Sequence, residues 1–323
     1  MSRFPMPRYA NGWFQVAYSD ELTAGKVMPL RYFGRDLVAF RGEDGVAAVL
    51  DAHCPHMGAH LGHGGKVVGN AVECPFHAWR FCGTGECSEI PYASKIPPRA
   101  RVGAWTVREH SGFIFVWHHA EGAAPSWELP VIPEYNAPDW TPYEKRRWVI
   151  KTHNQEMAEN AVDSAHFLYV HGTQGMPKTN AEIRGHVLHV LAETMMKTPM
   201  GKVGGTVEVD AYGFGLSQTR FRGIVDTLLM GTATTIDDEY VELRFSFTVK
   251  KLVNSDVTSN VGKAFIREIE RQLGQDIPIW ENKIYVHPPL LCDADGPIGL
   301  FRKWVKQFYS EPQPRSLAVV SGG

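Results

Sequence analysis

Two short loops, Cys54-Pro-His56 and Cys74-Pro-Phe-His77, each hold one thiol and one imidazole. Each loop reaches a metal from one side, and the spacing suits neighbouring tips of a small β domain. A set of two Cys and two His is common for structural zinc. Classical zinc arrangements, however, take both Cys from one loop and both His from another. Loops that each mix the two types suit a [2Fe–2S] cluster in which two Cys hold one iron and two His hold the other. Zinc is the alternative on ligand type alone.

A second constellation follows in Asn160-Ala-Val-Asp163-Ser-Ala-His166-Phe-Leu-Tyr-Val-His171. The stretch 154–169 has helix-compatible composition. On an ideal helix Asp163 and His166 lie about 60° apart, but His166 and His171 about 140°. One straight helix therefore cannot aim both imidazoles at a single metal. The geometry works if the helix ends between them, and Gly172 is a suitable stop. Two His and one carboxylate are the set of non-heme Fe(II) oxygenases. Asp276 is a candidate for the carboxylate: it falls on the apolar stripe of a helix predicted over Lys263–Trp280, where an ionised group is costly unless paired or metal-bound. Pro278, two residues on, is expected to disturb that helix and open space near the ligand.

The elements that must position these groups divide the chain. From about Trp13 to Trp117, short apolar runs (Val38–Phe40, Ala47–Leu50, Phe113–Val116) alternate with glycine turns, which predicts a small all-β domain. A proline-rich connector, Ala120–Pro142, follows. Beyond it, Gly185–Lys197, Gly204–Asp210 and Val241–Lys250 are strand candidates. The last alternates apolar and polar residues, as a strand with one buried face does. Phe265, Ile269, Leu273, Ile277 and Trp280 recur at helical spacing. The fold class is α+β, with residues 10–120 as one domain and 121–323 as the other. Met195-Met-Lys-Thr-Pro-Met200, Phe214 and Leu228-Leu-Met230 supply apolar material that could line a pocket, though such residues are more often simply core.

The 323 residues are 44% hydrophobic, enough for two cores, and carry a formal charge of −2 without a basic run. Nucleic acid is thus not an expected partner. The longest apolar runs fall far short of the roughly 20 residues of a membrane-spanning helix. Met1 to Arg8 has no apolar leader core, so a cytoplasmic, reducing location is expected. There Cys82 and Cys87, flanking a turn, are expected as free packed thiols. His53, His60, His63, His118 and His119 are expected to be structural or surface residues.

Residues 54–62 (Cys-Pro-His-Met-Gly-Ala-His-Leu-Gly) and 74–81 (Cys-Pro-Phe-His-Ala-Trp-Arg-Phe) resemble the two cluster-binding loops of Rieske oxygenases. Asn160, Asp163, His166 and His171 match the Asn-x-x-Asp-x-x-His-x4-His pattern of their α subunits. Gln275-Asp276-Ile-Pro-Ile-Trp280, Pro289–Ile298 and Arg302–Tyr309 are similar to the oxygenase component of 3-ketosteroid 9α-hydroxylase. The resemblance covers nearly the whole chain. It implies a Rieske [2Fe–2S] domain beside a helix-grip catalytic domain, one cluster held by Cys54, His56, Cys74 and His77, and one mononuclear Fe(II) held by His166, His171 and Asp276. Asn160 would lie near that iron, and Asp163 would bridge electrons from a neighbouring subunit of a homotrimer.

The activity implied is that of a terminal monooxygenase hydroxylating a hydrophobic polycyclic substrate, a 3-ketosteroid first, with one atom of O2 leaving as water. The chain has no nucleotide-binding glycine loop. NADH and FAD would therefore belong to a separate ferredoxin-type flavin reductase. Related Rieske enzymes desaturate sterols, remove methyl groups or hydroxylate alkaloids. From another class, an electron carrier without oxygenase activity would need only the first four ligands.

Overall fold

The computed structural model describes residues 3–198, 201–223, 225–252 and 254–310, without the side chains of 194–198, 201–203 and 255. Its first part consists of ten short strands: β1 (Gly12–Tyr18), β2 (Val27–Tyr32), β3 (Arg35–Arg41), β4 (Ala47–Asp51), β5 (Lys66–Val68), β6 (Ala71–Glu73), β7 (Arg80–Cys82), β8 (Cys87–Glu89), β9 (Val107–His110) and β10 (Phe113–His118). They form three antiparallel sheets, ordered β1-β10-β9, β2-β3-β4 and β5-β6-β7-β8. Sheets of three or four short strands need a shared apolar face to be stable, and these share cores built from Phe14, Val16, Leu37 and Ile114, and from Phe40, Leu50, Leu61 and Phe81.

Residues 119–143 add no strand or helix. The connector is tied down by packing: Trp127 sits edge-on to Trp117 with ring centroids 4.6 Å apart, and its carbonyl accepts from the Trp13 indole at 2.8 Å.

The second part is a seven-stranded antiparallel sheet, β11 (Glu144–Ile150), β12 (Lys178–Arg184), β13 (Val187–Thr198), β14 (Gly201–Tyr212), β15 (Leu216–Arg222), β16 (Thr227–Thr235) and β17 (Val241–Val249), in the order β11-β17-β16-β15-β14-β13-β12. Helices α1 (Asn154–Glu159) and α2 (Ser164–Tyr169) lie between β11 and β12, and α3 (Ser255–Asn282) and α4 (Ile298–Trp304) close the chain. Asn254 caps α3 by accepting from the amides of Asp256 and Val257. This helix starts well before the expected Lys263, and it runs through Pro278 without breaking. The proline deprives only the Gly274 carbonyl of a partner, and Gly274 is exposed to water.

Strand β17 departs from expectation in an informative way. Its alternation is real, but both faces are buried. Leu243, Phe245 and Phe247 face α3, while Glu242, Arg244 and Ser246 face the N-terminal sheets. There the Tyr32 hydroxyl donates to Glu242 at 2.7 Å, Arg244 donates to Tyr32 at 3.0 Å, and the hydroxyls of Tyr18 and Ser246 meet at 2.9 Å. The polar residues belong to a buried interface between the two parts, where each makes at least one hydrogen bond. The apolar cores also cross this boundary: Phe113 and Phe115 pack with Leu228 and Met230, and Phe301, Trp304 and Phe308 pack with Phe14 and Val16.

Candidate functional site

The Cys54 loop leaves β4 and the Cys74 loop leaves β6. They close alike. The Gly58 amide donates to the Cys54 carbonyl at 2.9 Å, and the Ala78 amide to the Cys74 carbonyl at 3.0 Å. Both donors lie in the left-handed region, Gly58 at φ 77° and Ala78 at φ 55°. The outcome is two thiols inside and two imidazoles outside. Cys54 and Cys74 are buried, His77 is half-buried, and His56 is exposed, its ring 4.6 Å from that of His77. Trp79 stacks on His56 at 4.7 Å, and its indole is held by the Tyr92 hydroxyl at 2.7 Å. Burial, with the neighbouring Cys74 thiol adding to it, pushes the Cys54 thiol up to about 11. Two adjacent thiols in an apolar pocket lack a counter-charge unless a metal supplies it, so the donor set fits a cluster. Cys82 and Cys87 are free, as expected; in the β7–β8 hairpin Cys87 stands opposite Phe81, not Cys82.

The second constellation is shaped by a break that the composition hid. Residues 154–169 do not form one helix: α1 tightens into a 3-10 turn at Asn160–Val162, the chain turns extended at Asp163 (φ −85°, ψ 102°), and α2 restarts at Ser164. Asp163 is the cap of α2. Its carboxylate accepts from the amides of Ala165 at 3.1 Å and His166 at 3.4 Å, which offsets the orphan amides of a helix start. Helix α2 then stops at Tyr169, and Gly172 at φ 71° turns the chain, so His171 is freed from helical direction. This end, between the two histidines, is where the spacing required it.

The donor atoms of His166, His171 and Asp276 all lie within 4.8 Å of one another. His171 Nε2 is 3.5 Å from the Asp276 carboxylate, and the two rings are 5.0 Å apart at 81°. His166 Nδ1 donates to the Asp163 carbonyl at 2.6 Å, while the Asp163 carboxylate stays 3.9 Å from that ring with its side chain 38% exposed. The outer nitrogen of His166 is therefore held by backbone and not by the carboxylate. His171 Nδ1 donates to Gln275 Oε1 at 3.2 Å. Burial lowers the His166 pKa, partly countered by Asp163. Burial also works against protonation of His171, but Asp276 and Gln275 outweigh it and raise that imidazole above its ordinary value.

Asn160 stands beside the trio, its amide oxygen accepting from the Trp280 indole at 3.2 Å. The trio and Asn160 line a cavity of about 260 Å³ between the sheet and α3. Met157, Phe214, Phe221, Leu229, Phe245 and Leu273 are among its apolar lining, with polar groups such as Thr219 and Gln272. Of the residues expected to line a pocket, Phe214 and Leu229 do so. Leu228 and Met230 point to the opposite face and pack on the N-terminal part. The side chains of Met195, Met196 and Met200 lie outside the described residues. Larger clefts of about 410 and 470 Å³ contain none of the expected ligands. Another group, His189, Glu208 and Asp210, sits half-exposed on the sheet face away from the cavity.

Gly296 was not singled out by its sequence. A Cβ there would meet the Val162 carbonyl oxygen at 1.9 Å, so only glycine lets the 292–297 loop lie against the backbone on either side of Asp163.

The fold is shared with solved Rieske oxygenases. It superposes on dicamba monooxygenase bound to 3,6-dichlorosalicylic acid (TM-score 0.75, 17% identity, 93% of this chain and 97% of that one). It likewise matches the Pseudomonas putida CBB5 NdmA QL mutant with caffeine (TM-score 0.75, 20% identity, 92% and 89%). Residues 12–102 match the Rieske [2Fe-2S] domain family, and residues 116–309 the 3-ketosteroid 9alpha-hydroxylase C-terminal domain family. The chain thus belongs to the Rieske oxygenases of the 3-ketosteroid 9α-hydroxylase group. Relatives include a probable 3-ketosteroid-9-alpha-monooxygenase oxygenase component of Rhodococcus rhodochrous (35% identical, 94% of this chain and 81% of that one). A cholesterol 7-desaturase of Ciona intestinalis is 32% identical over 96% of this chain and 70% of its own.

Proposed function

We propose that this chain is the terminal oxygenase of a multicomponent monooxygenase that hydroxylates a hydrophobic polycyclic substrate, a 3-ketosteroid at the 9α position. The observation that carries the reading is a mostly apolar cavity with His166, His171 and Asp276 together in its lining. In this reading those three hold one Fe(II) per chain, and Cys54, His56, Cys74 and His77 hold one [2Fe–2S] cluster. Two His and one carboxylate are the donor set for such an iron, and their nearness within a mostly buried site supports it. Reductive activation of O2 is the chemistry the bound iron supplies.

The chain's own residues have simpler tasks. Apolar side chains of the sheet and α3 bind a flat molecule and exclude water, which leaves its position fixed by shape. Asn160, oriented by Trp280, supplies a polar group at the reactive end. The exposed His56 and half-buried His77 form the face through which electrons arrive from a separate reductase, a ferredoxin-type flavoprotein that itself holds NADH and FAD. Asp163, half-exposed beside His166, suits a bridge to the Rieske tip of a neighbouring copy in a homotrimer. No helix among the described residues is long and apolar enough to cross a membrane, and a cytoplasmic location completes the reading.

A second reading shares the site. The similarity to cholesterol 7-desaturases over 96% of the chain supports a sterol as substrate and dehydrogenation as outcome. A panel of 3-ketosteroids, sterols and aromatic acids, run with a surrogate reductase and scored by product mass, separates them. A gain of one oxygen on a 3-ketosteroid supports the first reading, loss of two hydrogens from a sterol the second. Product from aromatic acids alone would overturn both.

A further inference from the structure

We infer that Gln275 is a positioning residue, whose side-chain carbonyl fixes His171 as the tautomer that carries its proton on Nδ1 and so turns the Nε2 lone pair toward a metal. The inference rests on reading His166, His171 and Asp276 as the metal site.

The geometry is a clamp. Gln275 and Asp276 are consecutive residues of α3, and they address opposite nitrogens of one imidazole: Gln275 Oε1 lies 3.2 Å from Nδ1, and the Asp276 carboxylate 3.5 Å from Nε2. A third α3 residue, Arg271, donates to the His171 carbonyl at 3.3 Å. The histidine follows the end of α2 and has no helix of its own to orient it. Its direction is thus set by α3.

A neutral imidazole has one proton and one lone pair, and only the Nδ1–H form leaves the lone pair on Nε2, among the donors of His166 and Asp276. In the other form an Nε2–H would donate to Asp276, and the metal would have to displace that proton. An acceptor at Nδ1 selects the productive form. His166 obeys the same rule by other means, since its Nδ1 donates to the Asp163 carbonyl at 2.6 Å. One ligand is oriented by backbone and is immune to substitution, whereas the other depends on one side chain. Partners of this kind govern ligand orientation and metal affinity.

The two hydrogen-bonding characters of Gln275 provide the test. Glutamate in its place can only accept once ionised; leucine and methionine offer no comparable acceptor. Enzyme retaining its Rieske cluster is stripped of mononuclear metal with a chelator and titrated with Co(II), with the visible bands of bound Co(II) and the dissociation constant as readouts. Gln275→Leu and Gln275→Met are expected to bind about 10- to 100-fold more weakly, with the cluster spectrum unchanged. Gln275→Glu is expected to bind at least as tightly as the parent. Parent-like affinity in the Leu and Met variants would overturn the proposal, as would a Glu variant as weak as Leu. His171→Ala tests the underlying site separately: if it binds Co(II) like the parent, the metal-site reading itself fails.

Discussion

Replacing Asp163 separates two jobs that the structure assigns to different atoms of one residue. Its backbone carbonyl holds His166 Nδ1 and survives any substitution. Its carboxylate caps α2 and reaches the surface. Asp163→Ala should therefore lose the cap, about 1 kcal/mol, against a stability of roughly 5–15 kcal/mol for a typical domain. Folding and both metals are retained. Asp163→Asn keeps a capping oxygen, so it should cost only a few tenths of a kcal/mol, yet it removes the charge from the proposed bridge. The assay is turnover with reductase and NADH, beside metal analysis and oligomer size. Both variants are expected to keep their iron and their assembly and to lose turnover. Normal turnover in either, with the assembly unaltered, would refute the bridging role. Loss of mononuclear iron in Asp163→Asn would refute the claim that the carbonyl alone holds His166.

Two further outcomes follow from the same geometry. In the proposed site His171 would bind metal through a neutral ring, and Asp276 with Gln275 raises its pKa in the metal-free site. A proton therefore competes with the metal as pH falls through that raised value. Co(II) affinity should be full above it and fall by up to tenfold per pH unit below it, and affinity that is flat down to pH 5 would contradict this. Gly296→Ala places a methyl against the Val162 carbonyl, where the opposing atom is backbone and cannot rotate away. A loss of about 1–3 kcal/mol in urea unfolding is expected, together with reduced turnover and an unchanged Rieske spectrum.

Much of the site was legible because it is written in short range. Cys54, His56, Cys74 and His77 announce themselves by type and spacing, and the angular mismatch of His166 and His171 required a helix end that α2 provides before Gly172. The break at Asp163 was also readable in principle, since Asp is a favoured N-cap residue. Helix-forming neighbours obscured it. The rest depended on contacts across the chain. Gln275 meets His171 over 104 positions and Trp280 meets Asn160 over 120, and no local pattern encodes such pairs. In β17 the alternation suggested one solvated face, but Glu242 and Arg244 face a second layer instead. Periodicity tells which residues share a face, not what covers that face.

The account stands on two metal centres in one chain, and counting iron in purified protein with its visible spectrum tests that most directly. The parent is expected to carry about three iron atoms per chain with Rieske absorption. His171→Ala should carry about two, with that absorption intact. A colourless zinc protein, or a parent with a complete cluster that already holds only two iron atoms after reconstitution with Fe(II), would contradict it.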